Sequence, residues 1–128
     1  GARGPAQRDR PQAPAQAMTT TADIHWLAGY LDADGCFFAT GGGIYRSCCP
    51  IIQVAGSDED LVQKAARIFG VPFEKIKQPP KQKIHYKQQY RFYVASSLAA
   101  AWMMTLYPLL CQRRKERIQK ILQIWRGM

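Results

Sequence analysis

The chain has 128 residues, 18 Lys plus Arg against 9 Asp plus Glu, a formal charge of +9, and 47% hydrophobic residues. That is enough for one domain with a core and too little for two, and the hydrophobic share excludes a disordered basic tail. No apolar run nears the ~18 residues needed to cross a bilayer, so the positive charge points to a polyanion, nucleic acid before membrane.

Residues 1–17, GARGPAQRDRPQAPAQA, carry almost nothing to bury. They read as a disordered leader or added tail, extending to about residue 20, with Met18 as a native start and one domain over 21–128. Arg3, Arg8 and Arg10 in this tail read as solvated rather than as an arm on nucleic acid. Thr21 or Asp23 is expected to cap a first helix through Ile24, Trp26, Leu27, Tyr30 and Leu31, with Gly35 ending it in the left-handed conformation. CFFAT (36–40) and CCPIIQV (48–54) are expected strands, paired as a hairpin across GGGIYRS.

Ser57 followed by Asp58, Glu59 and Asp60 predicts a helix start, a capping hydroxyl and then acids at the positive end of the dipole. Leu61, Val62, Ala65, Ile68 and Phe69 share one face of that helix, and Gly70 terminates it. Lys75 to Lys77 and Tyr90 to Ala95 form an expected second strand pair around QPPKQKIHYKQQ. Ser97 opens a helix through Trp102, Met103, Leu106 and Tyr107 that Pro108 breaks, and residues 111–125 form an amphipathic last helix. In it Ile118, Ile121, Leu122 and Trp125 face inward, with QRRKER at the entrance. The order helix, hairpin, helix, hairpin, helices is an α+β pattern with an antiparallel sheet.

Charge is segregated along this plan. From Leu61 onward there are 14 Lys or Arg and only Glu74 and Glu116, whereas four of the nine acids lie between Asp32 and Glu59. One electropositive face follows. Cys36, Cys48, Cys49 and Cys111 form no CxxC pair and no group with His25 or His85, which argues against zinc. Unpaired thiols fit a reducing, intracellular setting.

WLAGYLDADGCF, residues 26–37, puts two carboxylates at the end of an apolar helix. Gly29 and Ala33 are four apart with Ala28 beside them, a surface with little bulk on which a second helix can approach closely. Asp34 falls at the carboxyl end, where the free carbonyls already carry negative charge and an anion is unfavourable alone. A hard divalent cation reverses that sign, because carboxylate and carbonyl oxygens are ligands that Mg2+ accepts together with waters and phosphates.

LAGYLDADG, Leu27 to Gly35, resembles the signature of the LAGLIDADG homing endonucleases at seven of nine positions, with Tyr30 and Leu31 as apolar substitutions. LYPLL followed by a basic cluster is similar to the entrance of that family's last helix. The resemblance implies an αββαββα fold, a saddle-shaped antiparallel sheet with helices on one face, and, since only one motif is present, a homodimer. Its paired motif helices would involve Leu27, Ala28, Gly29, Leu31 and Asp32. It also implies that Asp34 binds catalytic metal, with the Ala33 carbonyl as a further ligand and Asp32 structural. Arg113 is similar to the basic residue near the scissile phosphate, with Lys115 as the alternative. Where the family often has a polar, water-organising residue in the turn after the second strand, this chain has Gly56.

The implied reaction is Mg2+-dependent hydrolysis of both strands of a long, near-palindromic duplex, with Mn2+ able to substitute and Ca2+ bound without cleavage. Readout would come from alternate strand residues on the saddle: Phe38, Thr40, Gly42, Gln53, Lys75, Lys77, Gln89, Arg91 and Tyr93. Phe38 and Tyr93 read equally well as core. Arg46, Lys81, Lys83 and Lys87 lie in loops suited to phosphates, or to plain solvation. Two other functions fit the same fold, an intron RNA-splicing maturase and a DNA-binding regulator that does not cut.

Overall fold

A computed structural model of the chain describes residues 19–41, 48–77 and 87–126. Helix α1 (Thr21–Asp34) begins with a reciprocal cap. The Thr20 hydroxyl accepts from the Asp23 N–H and the Asp23 carboxylate accepts from the Thr20 N–H, each at 3.1 Å. Thr20 is therefore the cap, one position before the expected Thr21, and Asp23 is its third-residue partner.

The exit of α1 differs from expectation in kind. Gly35 has extended backbone, φ −84° and ψ 161°, and is the first residue of strand β1 (Gly35–Gly41), so helix runs into strand with no loop between. Glycine is needed here for space. A Cβ would stand 2.6 Å from Leu31 Cδ2 and 3.0 Å from Leu31 Cα.

β1 pairs antiparallel with β2 (Cys48–Gly56), and β2 pairs on its other edge with β4 (Tyr90–Ala95). A two-residue β3 (Glu74–Lys75) closes the sheet against β4, giving the order β1-β2-β4-β3. The expected strand over 75–77 thus begins and ends earlier. Helix α2 (Glu59–Phe69) is capped by Asp58, whose carboxylate accepts from the N–H groups of Asp60 and Leu61, and not by Ser57. It ends as expected at left-handed Gly70, φ 79°.

β4 passes directly into α3 (Ser96–Leu106) through Ser96, a non-glycine residue at φ 59°. A 3-10 turn over Tyr107–Leu109 contains Pro108, and α4 (Gln112–Arg126) follows. Among the described residues the architecture is mixed α+β, with a four-stranded antiparallel sheet and four α-helices.

Alternation decides which side of the sheet they cover. Phe37, Ile52, Val54, Phe92 and Val94 are buried on one side, against Leu27 and Leu31 of α1, Val62 and Phe69 of α2, Met103 and Leu106 of α3 and Ile118 of α4. Phe69 anchors this core edge-on to Trp102 at 5.0 Å and tilted to Phe92 at 5.7 Å.

Candidate functional site

The uncovered side of the sheet carries the other strand residues. Register aligns Cys36, Gln53 and Tyr93 in one row, Phe38, Ile51 and Ala95 in the next, Thr40 with Cys49, and Ala55, Arg91 and Glu74 toward the far edge. Phe38, Thr40, Gln53, Arg91 and Tyr93 therefore share one face, as the strand period requires. Tyr93 is 44% exposed, so it is not core.

Lys75 departs from the expected set. It pairs with Tyr90, which by alternation lies on the side of Phe92 and Val94, so Lys75 belongs to the helix-covered side at the sheet edge. Glu74 takes the open-face position, and its carboxylate accepts from Arg91 Nε at 2.8 Å. Arg91, whose guanidinium also lies 5.8 Å from the Tyr93 ring, is thus already charge-paired. Lys77 is exposed beyond the end of β3. Gln89 is half-buried and its carbonyl accepts from the Ile76 N–H, which extends the β3–β4 pairing by a bond. Lys87 sits beside Ser57, Asp58, Glu59 and Asp60, facing acids at the start of α2. Gly42, Arg46, Lys81 and Lys83 lie outside the described residues.

Asp34 ends α1, exposed, with no basic residue in the last helical turn. It makes no hydrogen bond or ion pair among the described residues. An unpaired carboxylate at the negative end of a helix dipole is electrostatically unfavourable and is relieved by a cation. Its neighbours are held firmly. The Leu31 carbonyl accepts from the Gly35 N–H, the Asp32 carbonyl accepts from Arg114 Nη2 at 3.2 Å, and the Asp32 carboxylate accepts from the Cys111 N–H at 3.0 Å. Asp32 thereby clasps the end of α1 to the entrance of α4, where the basic cluster begins.

Within that cluster the side chains divide. Arg113 is exposed. Lys115 is half-buried with Nζ 5.6 Å from the Tyr107 ring centre. Arg114 is half-buried under α1, its guanidinium 5.9 Å from the Phe37 ring and its Nε buried without a partner. Arg113 and Lys115 are the residues that sequence reasoning singles out, and Arg114 is the one it passes over. Its spacing before Ile118, Ile121 and Leu122 was the available signal, because those positions share the inward stripe of α4.

The expected dimer surface also divides. Leu27, Ala28 and Leu31 are 0%, 2% and 0% exposed within a single chain, so they belong to its core and offer a partner nothing. Their positions one turn apart put them against β1, β2 and α2. The outward strip of α1 is Ala22, His25, Gly29 and Ala33, all exposed, and of the five expected residues Gly29 and the half-buried Asp32 lie on or beside it.

Tyr30, treated as apolar from sequence, carries polar information. Its ring stacks on Trp26 at 5.1 Å with 16° between planes, and Lys64 Nζ lies 4.3 Å over the other ring. Burial first, then the Asp34 and Asp58 carboxylates, raise its phenol above the ordinary value, so it stays protonated. The Tyr30 hydroxyl is 3.9 Å from where Gly56 would carry a Cβ.

Among the described residues no group of three or more His, Cys, Asp or Glu is placed to hold a metal ion. At the end of α1 one chain offers the Asp34 carboxylate and the carbonyls of a helix end. So sparse a donor set fits Mg2+, which is commonly held by one or two carboxylates with waters and phosphate oxygens, and does not fit an ion caged by protein ligands. Among the described residues no helix is long and apolar enough to cross a membrane. No protein-family model matches the chain, and no curated protein matches it.

Proposed function

We propose that the protein is a LAGLIDADG-type, site-specific DNA endonuclease that works as a homodimer with Mg2+ on a long, near-palindromic duplex. The observation that carries this reading is the position of Asp34. An unpaired carboxylate closes a helix that passes without a loop into a strand whose far face is uncovered, so an acidic helix end and an open sheet face meet at one residue. The motif spelling and the charge segregation support it independently.

In this reading the open face lies in the major groove. Gln53 presents an amide able to bond adenine at two points, Thr40 presents a hydroxyl, and Phe38 packs on a thymine methyl. Arg91 adds readout of guanine once it exchanges Glu74 for a base. Exposed Lys77 and the outward cations of α4 take phosphates and set register.

The Asp34 carboxylate supplies anionic oxygen at the scissile phosphate, with the Ala33 carbonyl beside it. Bound Mg2+ would contribute a lowered water pKa and neutralisation of charge on phosphorus. Arg113, exposed at the α4 entrance that the Asp32 clasp holds against α1, stabilises the negative charge that grows on the phosphate oxygens. Lys115 is less free for this, being engaged with Tyr107. Two copies related by a twofold axis through the Gly29 strip place one Asp34 on each strand, and the target inherits that symmetry.

Incubation of a randomised duplex library with the protein and Mg2+, followed by sequencing of cut ends, tests the function. Recovery of one near-palindromic site by the native protein, and of none by Asp34→Asn, is expected. Retention of a duplex without cutting would replace the enzyme by a regulator, and preference for folded intron RNA would replace it by a maturase.

A further inference from the structure

We infer that Tyr30 is a further catalytic residue of this site: its hydroxyl bonds the attacking water beside Asp34, in the space that Gly56 leaves without a side chain. The inference rests on the endonuclease reading. Tyr30 precedes Asp34 by four residues on α1, which places the two side chains on one helix face with Cβ atoms about 5–6 Å apart. The ring cannot wander, because Trp26 stacks on it at 5.1 Å and Lys64 lies 4.3 Å over Trp26. Its hydroxyl reaches the end of β2, 3.9 Å from the missing Cβ of Gly56, and finds no hydrogen-bond partner among the described residues.

A phenol that packed only for its ring would leave this position equally well filled by Phe. A phenol hydroxyl donates and accepts at once, so it can take one hydrogen of a water molecule and leave a lone pair directed at phosphorus. In the step, the water oxygen forms a bond to phosphorus and the bond from phosphorus to the 3′ oxygen breaks. The water proton passes to solvent, the 3′ oxygen takes a proton from solvent, and Tyr30 keeps its own.

Tyr30→Phe deletes one oxygen and keeps the stack. On duplexes that the native protein cuts, the variant should cut about 10- to 100-fold more slowly. Its duplex affinity in Ca2+ and its melting temperature should be unchanged. Cutting by Tyr30→Phe at the native rate would overturn the inference, as would a loss of cutting that only follows losses of melting temperature and affinity. If the native protein cuts no duplex in Mg2+, the endonuclease reading fails and the role of Tyr30 fails with it. Native cutting with an unaffected Tyr30→Phe sinks the role of Tyr30 alone.

Discussion

Two glycines six residues apart in one motif should respond to alanine with opposite signs. At Gly35 the added methyl would stand 2.6 Å from Leu31 Cδ2 and 3.0 Å from Leu31 Cα. The first of these can be relieved only by turning a side chain that is 0% exposed, and the second only by moving backbone at the helix-to-strand join. Overpacking of this kind costs about 1–3 kcal/mol. At Gly29, in the middle of α1, a methyl meets nothing within 4 Å, and alanine's better helix propensity contributes about 0.8–1 kcal/mol. The two variants should therefore differ by about 2–4 kcal/mol in the single chain. For a domain of this size that is roughly 4 °C of melting temperature per kcal/mol. Denaturant unfolding at fixed low protein concentration reads the difference, and sedimentation over a concentration series reads association separately. The proposed twofold seam adds a second signature, because the methyl that stabilises the Gly29→Ala chain should weaken its dimer. A Gly35→Ala protein as stable as the native one would refute the spatial reason given for that glycine.

Other outcomes follow from single contacts. Asp58→Ala should lower unfolding stability by about 1 kcal/mol and Ser57→Ala should change it little, since the Asp58 carboxylate accepts from the N–H groups of the second and third residues of α2. Asp32→Ala should shift the denaturant midpoint by a similar amount, whereas Asp32→Asn, which keeps an oxygen for the Cys111 N–H, should recover most of it. Glu74→Ala removes the carboxylate that Arg91 must leave to reach a base, so duplex affinity at fixed salt should rise while melting temperature changes little, the ion pair being exposed.

Much of this arrangement is visible in the letters. Val62, Ala65, Ile68 and Phe69 recur at helical spacing before a glycine, and α2 has that face and ends there. Phe37 against Ile52 and Val54 against Phe92 follow from strand alternation, which also fixes Phe38, Gln53 and Tyr93 on the open side. Caps were displaced by one residue at both α1 and α2 because adjacent Thr–Thr and Ser–Asp pairs each contain two competent acceptors; at α1 the Asp23 carboxylate, three residues on, selects Thr20. The phase of β3 was not legible, since two residues show no alternation. The Asp32 clasp joins residues 79 apart in the chain, beyond the reach of local pattern. Arg114 carried a readable helical spacing that its charge disguised.

In the proposed endonuclease two Asp34 carboxylates, one from each subunit, each serve one strand of the target. A supercoiled plasmid bearing the selected site, treated with Mg2+ and mixed dimers of native and Asp34→Asn chains, measures this directly. Native dimers should give linear DNA, mixed dimers should stop at nicked circles, and Asp34→Asn dimers should bind and leave the plasmid intact. Linear product from the Asp34→Asn protein alone would contradict the account.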